Sequence, residues 1–355
     1  MDKYITLSPE AKGTFNDRLN FLYLKLGNYL DTENLQNRTL QYCKVFLSDS
    51  KNQLKELQES LLYQEFLKDT NLTIVEQPPL DGSKISLLIK TTDDKTPILF
   101  HSLRLTEEEA KGKNSYEQTR MLFERYLSLI ADTDMTMERN LIRTWIYVTD
   151  IDVNYQGVVE ARNDVFSQQG LTADTHYIAS TGIGGSTPVL HASVAIDFLT
   201  IPNINEENKK YLQALELLNP THEYGVAFER GTRVTLPAHS THADGCQQFK
   251  QQYFISGTAS IDKQGDIVYE GDIVRQTGRL LGNIGALLKD GDATMNDIQY
   301  FIIYLRDISD YHTVDRLMQQ FFPQKPRIIV EAKVCRPGWL IEMECIAEKE
   351  TCSTE

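Results

Sequence analysis

Apolar residues recur at three- and four-residue spacing along several stretches of the chain. Residues 10–31 place Phe15, Leu19, Leu22, Leu26 and Tyr29 on one face. Lys51–Leu67 does the same with Leu54, Leu57, Leu61 and Phe66, and Ser115–Ala131 with Tyr116, Leu122, Tyr126 and Ile130. Each pattern predicts an amphipathic helix, as do Val158–Gln168, Val274–Leu288 and Tyr311–Phe321. Between them lie short runs rich in β-branched and aromatic residues, which predict strands. These are Ile85–Leu88, Ile98–Phe100, Leu141–Val148, His176–Ala179 and Ser193–Leu199, then Tyr253–Ser256, Asp266–Tyr269, Gln299–Leu305, Ile328–Lys333 and Leu340–Ala347. The polar stretch Pro202–Lys210 reads as a linker.

The pattern repeats. QTRMLFERYLSLIADTDMTM (Gln118–Met137) and QTGRLLGNIGALLKDGDATM (Gln276–Met295) stand at a constant offset of 158 residues, with Gln, Thr, Leu, Leu, Asp, Asp, Thr and Met in step. After a slip of one residue, WIYVTDID (Trp145–Asp152) faces IIYLRDIS (Ile302–Ser309). A weaker third copy is expected at the front. There KVFLSDS (Lys44–Ser50) resembles the same strand and turn, and Ile74-Val75-Glu76 falls on Ile329-Val330-Glu331. The order expected in each full copy is β-β-α-β-α-β-β. Such a sequence implies α+β units with helices on one face of a mixed sheet. The other face of each sheet must pack against something, and the sister copies are the natural partners. The boundaries expected are 1–90 for a degraded unit or N-terminal α/β extension, 91–203 for a full unit, and 215–350 for the unit that carries the site.

At 355 residues the chain suits two or three domains. Its hydrophobic content of 41% and charged content of 24% are those of a globular protein. A net charge of −14 argues against a nucleic-acid partner, since phosphate binding draws on an excess of Lys and Arg. The opening residues lack the basic start and apolar stretch of a signal peptide, and no run approaches the ~20 apolar residues of a membrane span. Cys43, Cys246, Cys335, Cys345 and Cys352 are odd in number and irregularly spaced, which suggests free thiols in a reducing compartment. A cytoplasmic protein without membrane partners is expected.

The last copy holds the sharpest chemistry. Arg327 opens one predicted strand and Glu342 lies in its hairpin neighbour. A guanidinium fork suits a carboxylate, and a glutamate held nearby can act as general acid or base. A plain cross-strand ion pair accounts for the same spacing. His239, His242 and Cys246 have a spacing that invites zinc, but their loop lacks a second cysteine pair, so no metal is expected. Gly182 and Gly184 in STGIGG serve tight backbone geometry; the run lacks the lysine of a phosphate loop.

From Tyr253 to Ala347 the chain resembles the Rid (YjgF) family, through SGTAS (Ser256–Ser260), RQTGRLLGNIGALL (Arg275–Leu288), YFIIYLRDISDY (Tyr300–Tyr311), PRIIVEA (Pro326–Ala332) and IEMECIA (Ile341–Ala347). A narrower resemblance, to the chorismatases, rests on RTWIYVTDID (Arg143–Asp152), Arg162, STGIGG (Ser180–Gly185) and VCRPGWLIEME (Val334–Glu344). It spans roughly residues 115–350. The fold implied is a set of tandem Rid-like (chorismate-mutase-like) units packed as an internal pseudo-trimer. A monomer is then the expected state, with a homo-oligomer through the first copy as the alternative.

The resemblance implies removal of the enolpyruvyl group of chorismate, releasing pyruvate and either a dihydroxycyclohexadiene carboxylate or a hydroxybenzoate, with no cofactor. Glu342 would be the acid, with a pKa raised by burial. Arg327 and Arg162 would hold the two carboxylates of a small dicarboxylate substrate. Tyr147 and Tyr224 would hydrogen-bond it. Thr258 and Ala259 would line the pocket through their backbone. Cys335 would touch the ring, where the resemblance associates it with the hydroxybenzoate branch. The pattern is departed from at Ile146, where a polar Asn is more usual, and in a short 150–160 loop. In the first copy the positions matching Arg327 and Glu342 fall near Leu72 and Leu87, so one site per chain is expected. A Rid-type imine or enamine deaminase and a non-catalytic carboxylate-binding protein are the rival readings.

Overall fold

The computed structural model describes residues 2–10, 12–94, 96–241 and 247–352. The first unit runs β1 (Lys3–Leu7), α1 (Phe15–Asn34), β2 (Thr39–Leu47), α2 (Ser50–Glu59), β3 (Asn71–Glu76) and β4 (Ile85–Thr92). The second runs β5 (Leu99–Leu103), the single turn α3 (Glu107–Ala110), α4 (Ser115–Ile130), the single turn α5 (Met137–Asn140), β6 (Leu141–Val148), α6 (Ile151–Gln168), β7 (Ala179–Gly184) and β8 (Val194–Thr200). The third runs β9 (Lys209–Tyr211), β10 (Gly231–Thr241), β11 (Gln247–Ala259), α7 (Ile273–Asp290), β12 (Ile298–Leu305), α8 (Tyr311–Phe321), β13 (Arg327–Glu331) and β14 (Ile341–Cys352). No helix among the described residues is long and apolar enough to cross a membrane.

The three sheets share one topology. Their strand orders are β1-β4-β2-β3, β5-β8-β6-β7 and β13-β12-β14-β11, the last extended by β10 and β9. In each, one pair is parallel (β2 with β3, β6 with β7, β12 with β13) and the rest are antiparallel. Glu76, Gly184 and Glu331 stand at one equivalent position, opposite Leu47, Val148 and Leu305. The first unit is therefore a full unit by topology. The unit order is β-α-β-α-β-β; only the third carries the leading hairpin expected of every copy.

Other departures are local. His176–Ala179 is not a strand; the following STGIG residues are, as β7, because they pair with β6. Asp266–Tyr269 makes only an isolated bridge, Ile261 with Ile267. Residues 151–160, read as a loop, are the start of α6, and Ile146 is buried beneath the helices of the second unit, away from the third. Lys51–Leu67 breaks into α2 and a π-helical turn at Leu62–Leu67.

The repeated residues do equivalent work. Gln118 donates to His191 O (2.9 Å) and accepts from Ser193 N (2.8 Å). Gln276 donates to Gly338 O (3.0 Å) and accepts from Leu340 N (3.0 Å). Each buried amide pins its helix to the backbone just before the unit's last strand. Thr119 and Thr277 bond back to the carbonyls of Ser115 and Ile273, at 2.7 Å each.

Strand alternation sends one set of side chains to the helices and the other inward. In β2, Cys43, Val45 and Leu47 join Leu19, Leu22 and Leu26 of α1 in one core. Phe46 belongs instead to a central core shared with Tyr147 of β6 and Tyr304 of β12. The units close on one another in a cycle, with β11 on β7, β1 on β12 and β5 on β3. Backbone bonds stitch the ends: Gly184 N to Lys333 O (2.8 Å), Leu80 N to Ile329 O (2.9 Å), and Glu76 N to Ser186 O (2.9 Å). The result is a pseudo-trimer within one chain.

At the seam, a Cβ on Gly184 would lie 2.7 Å from Lys333 O and 2.9 Å from Lys333 N. Gly184→Ala is expected to lower stability by about 1–3 kcal/mol in urea unfolding, because backbone must yield. On the exposed face of α7, a Cβ on Gly278 would meet nothing within 4 Å. Gly278→Ala is expected to raise stability by about 0.5–1 kcal/mol in the same experiment.

Candidate active site

Strand β14 reads Ile341, Glu342, Met343, Glu344, Cys345. The apolar members face the helices, and Glu342 and Glu344 face the second unit. A β-bulge in β11 makes room for them. Ile255 pairs with Cys345 and Thr258 with Met343, so Ser256 and Gly257 together stand opposite Glu344. Gly257 is required here, since a Cβ would overlap Glu342 Oε1 and lie 3.0 Å from Thr181 Cγ2.

The two glutamates have opposite surroundings. Glu344 accepts from Arg143 Nη2 (2.8 Å) and from Trp145 Nε1 (2.9 Å). Arg143 also donates to Thr181 Oγ1 (2.6 Å) and Ser256 Oγ (3.3 Å). The RTW residues thus knit the second unit to the third. Glu342 is only 4% exposed, and no described group donates a hydrogen bond to its carboxyl. Burial, reinforced by the charge of Glu344 and opposed by Arg143, pushes it up to about 8. It is an acid at neutral pH.

Glu342 opens into a cavity of about 180 Å³ between the second and third units. Helix α6 contributes Tyr155 and Arg162, and β7 contributes Ser180 and Gly182. The segment before β10 contributes Tyr224, Phe228 and Arg230; β11 contributes Gly257 and Ala259; the loop between β13 and β14 contributes Cys335, Arg336 and Trp339. Arg162 is 1% exposed, with Nε and Nη2 unpaired among the described residues. Its guanidinium lies 5.6 Å from the Phe228 ring. Arg230 and Arg336 stand 5.4 and 5.2 Å from the ring of Tyr224. Asn219 O accepts from Arg230 (3.0 Å), and Gly265 O from Arg336 (2.8 Å). Burial lowers the pKa of Arg230 from its ordinary value. The Cys335 thiol is pushed up to about 12, by burial and then by Glu342, which leaves it unreactive as a nucleophile near neutrality. The site is a pocket with one protonated carboxyl, three guanidinium groups and aromatic walls.

Glu342, Arg162, Tyr224, Ala259 and Cys335 meet in this cavity. Three residues expected there do not line it. The Thr258 hydroxyl turns back to Ser256 O (2.9 Å). Tyr147 is buried in the central core and donates to Asp197 Oδ2 (3.1 Å). Arg327 faces a different interface. Its place in the register is that of Ser180 in the second unit and Leu72 in the first. Because β11 packs on β7, Glu342 meets Ser180; β13 packs on the first unit, and Arg327 goes with it. There Arg327 donates to Asp315 Oδ1 and Gln319 Oε1, at 2.9 Å each, beside a groove of about 670 Å³. The position matching Glu342 is Ser86 in the first unit, one residue from the expected Leu87, and Ala195 in the second. Arg336, Trp339 and Gly257 lay within motifs already noted; Tyr155 and Arg230 carried no signal in the sequence. The side chains of His239, His242 and Cys246 lie outside the described residues. Among the described residues no cluster of His, Cys, Asp or Glu is arranged to hold a metal ion.

Comparison with known proteins bears on this geometry. The family model for Endoribonuclease L-PSP matches residues 238–349. A RutC family protein of Pyrococcus abyssi is 36% identical over 99 residues, which cover 27% of this chain and 78% of that protein. The chain belongs to the Rid/RutC family. The 3-aminoacrylate deaminase RutC of Acinetobacter baylyi is 29% identical over 96 residues, covering 26% of this chain and 76% of that one. The crystal structure of a chorismatase superposes with a TM-score of 0.65 at 17% identity, covering 98% of both chains. The family model thus falls within the third unit, while the fold of all three units has a solved counterpart.

A carboxyl that binds its proton more tightly folded than unfolded contributes stability below its unfolded pKa. That contribution is lost as pH rises through the folded value, here about 8. Glu342→Gln removes the group. It is expected to raise the melting temperature relative to the parent, slightly near pH 5 and progressively more toward pH 8. A uniform difference across that range would show that Glu342 is not held protonated.

Proposed function

We propose that this chain is a chorismatase-type enzyme that removes the enolpyruvyl group of chorismate, or of a close dicarboxylate relative, by acid-catalysed hydration. The observation that carries the reading is the isolated, protonated Glu342 in a cavity that holds Arg162, Arg230 and Arg336. The likeness of the whole fold to a chorismatase supports it.

The chemistry follows from the groups present. Arg162 has buried N–H groups to satisfy, and a substrate carboxylate would satisfy them. Arg230 and Arg336, braced on Tyr224, would take the second carboxylate and orient the ring. Glu342 gives its proton to the terminal methylene of the enol ether, leaving an oxocarbenium centre stabilised by the ether oxygen. Water adds to that centre and returns a proton to Glu342. The resulting hemiketal breaks its C–O bond to give pyruvate and a dihydroxycyclohexadiene carboxylate. If the neighbouring ring hydroxyl instead attacks the ring carbon that bears the ether oxygen, that C–O bond breaks, its electrons close the pyruvate carbonyl, and the hydroxyl proton passes to Glu342. Opening of the resulting epoxide with loss of the ring proton then gives a hydroxybenzoate without consuming water. Cys335, beside Glu342 and Tyr155, would bear on that choice.

A second reading is deamination of an imine or enamine, favoured by the kinship of the third unit to a protein named as an aminoacrylate deaminase. The displacement of Arg327 from the Glu342 cavity weighs against it, since the two residues would act on different ligands.

Incubation with chorismate is expected to release pyruvate, read by a coupled dehydrogenase. Glu342→Gln is expected to slow this by about 10²–10⁴-fold, the usual worth of a general acid. Because the acid form is the active one, the rate should stay level at neutral pH and fall as pH rises through about 8. A folded protein that yields no pyruvate, but releases ammonia from freshly generated 2-aminoacrylate, establishes the deaminase instead. Tight carboxylate binding without turnover would mark a binding protein.

A further inference from the structure

Glu342 and Glu344 are two residues apart on one face of β14, in the same buried interface. The donors that reach this stretch of β14 go to Glu344. Arg143 and Trp145 each donate to one of its oxygens, at 2.8 and 2.9 Å. Both terminal nitrogens of Arg143 are engaged, Nη1 with Ser256 Oγ at 3.3 Å and Nη2 with Glu344 and Thr181. Thr181 Oγ1, which takes its Nη2 at 2.6 Å, accepts in turn from Gly257 N at 2.9 Å. Gly257 is the bulge residue against which the Glu342 carboxyl rests.

We propose that the Arg143–Glu344 pair is a positioning device for Glu342. It clamps an arginine onto the neighbouring carboxylate and, through Thr181, holds the bulge that seats the acid. The inference rests on reading Glu342 as the proton donor. Without Glu344, Arg143 would be an unneutralised cation in the wall behind Glu342, and it would draw that carboxyl into its ionised form. Without Arg143, no such pull exists.

Other titratable groups face Glu342 from every side and must be held in view. Tyr304 comes from β12, Tyr155 and Arg162 from α6, Cys335 and Arg336 from the loop after β13, and Tyr224 and Arg230 from the segment before β10. All of them stay unaltered in the substitutions that follow, so the changes isolate the pair.

Infrared titration of the ligand-free protein reads the protonated carboxyl of Glu342 directly, assigned by its disappearance in Glu342→Gln. Glu344→Gln is expected to lower the proton affinity of Glu342 about tenfold or more. Arg143→Gln should leave it equal or higher, and the double variant should return it near the parent. Equal downward shifts in both single variants, the mark of a loosened cavity that admits water, overturn the proposal, as does an unmoved titration in Glu344→Gln. Should Glu344→Gln fail to fold, Thr181→Val tests the seating alone. It changes no charge and is expected to lower kcat about tenfold with KM unchanged; an unchanged kcat overturns the proposal. The infrared measurements need no substrate, so a wrong assignment of the reaction and a wrong assignment of the pair give different results.

Discussion

A sheet covered by helices on one face has a second face to bury, and everything distinctive here follows from how that is done. The inward rings of β2, β6 and β12, with Phe46, Trp145, Tyr147, Tyr300 and Tyr304 among them, are too apolar to meet water, and a single four-stranded unit has nothing to cover them. Three units joined in one chain supply one another's covers, so the central core draws on all three. The polar groups admitted to it are paired across unit boundaries. Glu344 of the third unit takes Arg143 of the second, and Asp197 of the second takes Thr73 of the first at 2.7 Å and Arg104 at 2.9 Å. Breaking such a buried pair costs about 3–5 kcal/mol, because it strands a charge. Lys44 is one exception. Its ammonium has no hydrogen-bond partner among the described residues, sits 5.0 Å from the rings of Phe46 and Tyr147, and is pushed down to about 8 by burial.

Cyclic packing also decides where chemistry can occur. The interfaces set β11 on β7, β5 on β3 and β1 on β12, so a site that lies in one of them is assembled from two units. Fusion into one chain frees the three interfaces to differ. Between the second and third units, Glu342 meets Ser180. Between the third and first, Arg327 meets the unit that carries Ser86. Between the second and first, Ala195 and Leu72 hold the corresponding places. An arginine and a glutamate on strands that follow one another along the chain, but with β12 between them in the sheet, thus serve separate surfaces. The cavity of Glu342 draws its cations from α6 and from two loops of the third unit.

Within that cavity, position on the strand matters less than what lies across the interface. Glu342 and Glu344 have the same side chain, the same strand and nearly the same burial. One accepts hydrogen bonds from arginine and indole N–H groups; the other faces the bare backbone of Gly257, and burial pushes its pKa up to about 8. The bulge that creates the difference spends two residues of β11 where one would complete the ladder.

Much of this could be read along the chain. The amphipathic periods located α1, α4, α7 and α8, and the 158-residue repeat announced equivalent units; the buried Gln118 and Gln276, with matching partners, show why that register persists. Glu342, Arg162, Tyr224, Ala259 and Cys335 were also legible, as residue types within motifs. Boundaries were less so. STGIG looks like a loop, yet forms β7 because a neighbouring strand supplies its hydrogen bonds, and the start of α6 was missed because its buried face is interrupted by polar residues. What no one-dimensional reading could supply was the partner of each residue across a unit boundary. Hydrophobic periodicity specifies which face of an element is buried, a property of local spacing. The cyclic docking of three sheets specifies against what, and this alone separated Arg327 from Glu342, brought Arg230 and Arg336 to the acid, and left its carboxyl unpaired.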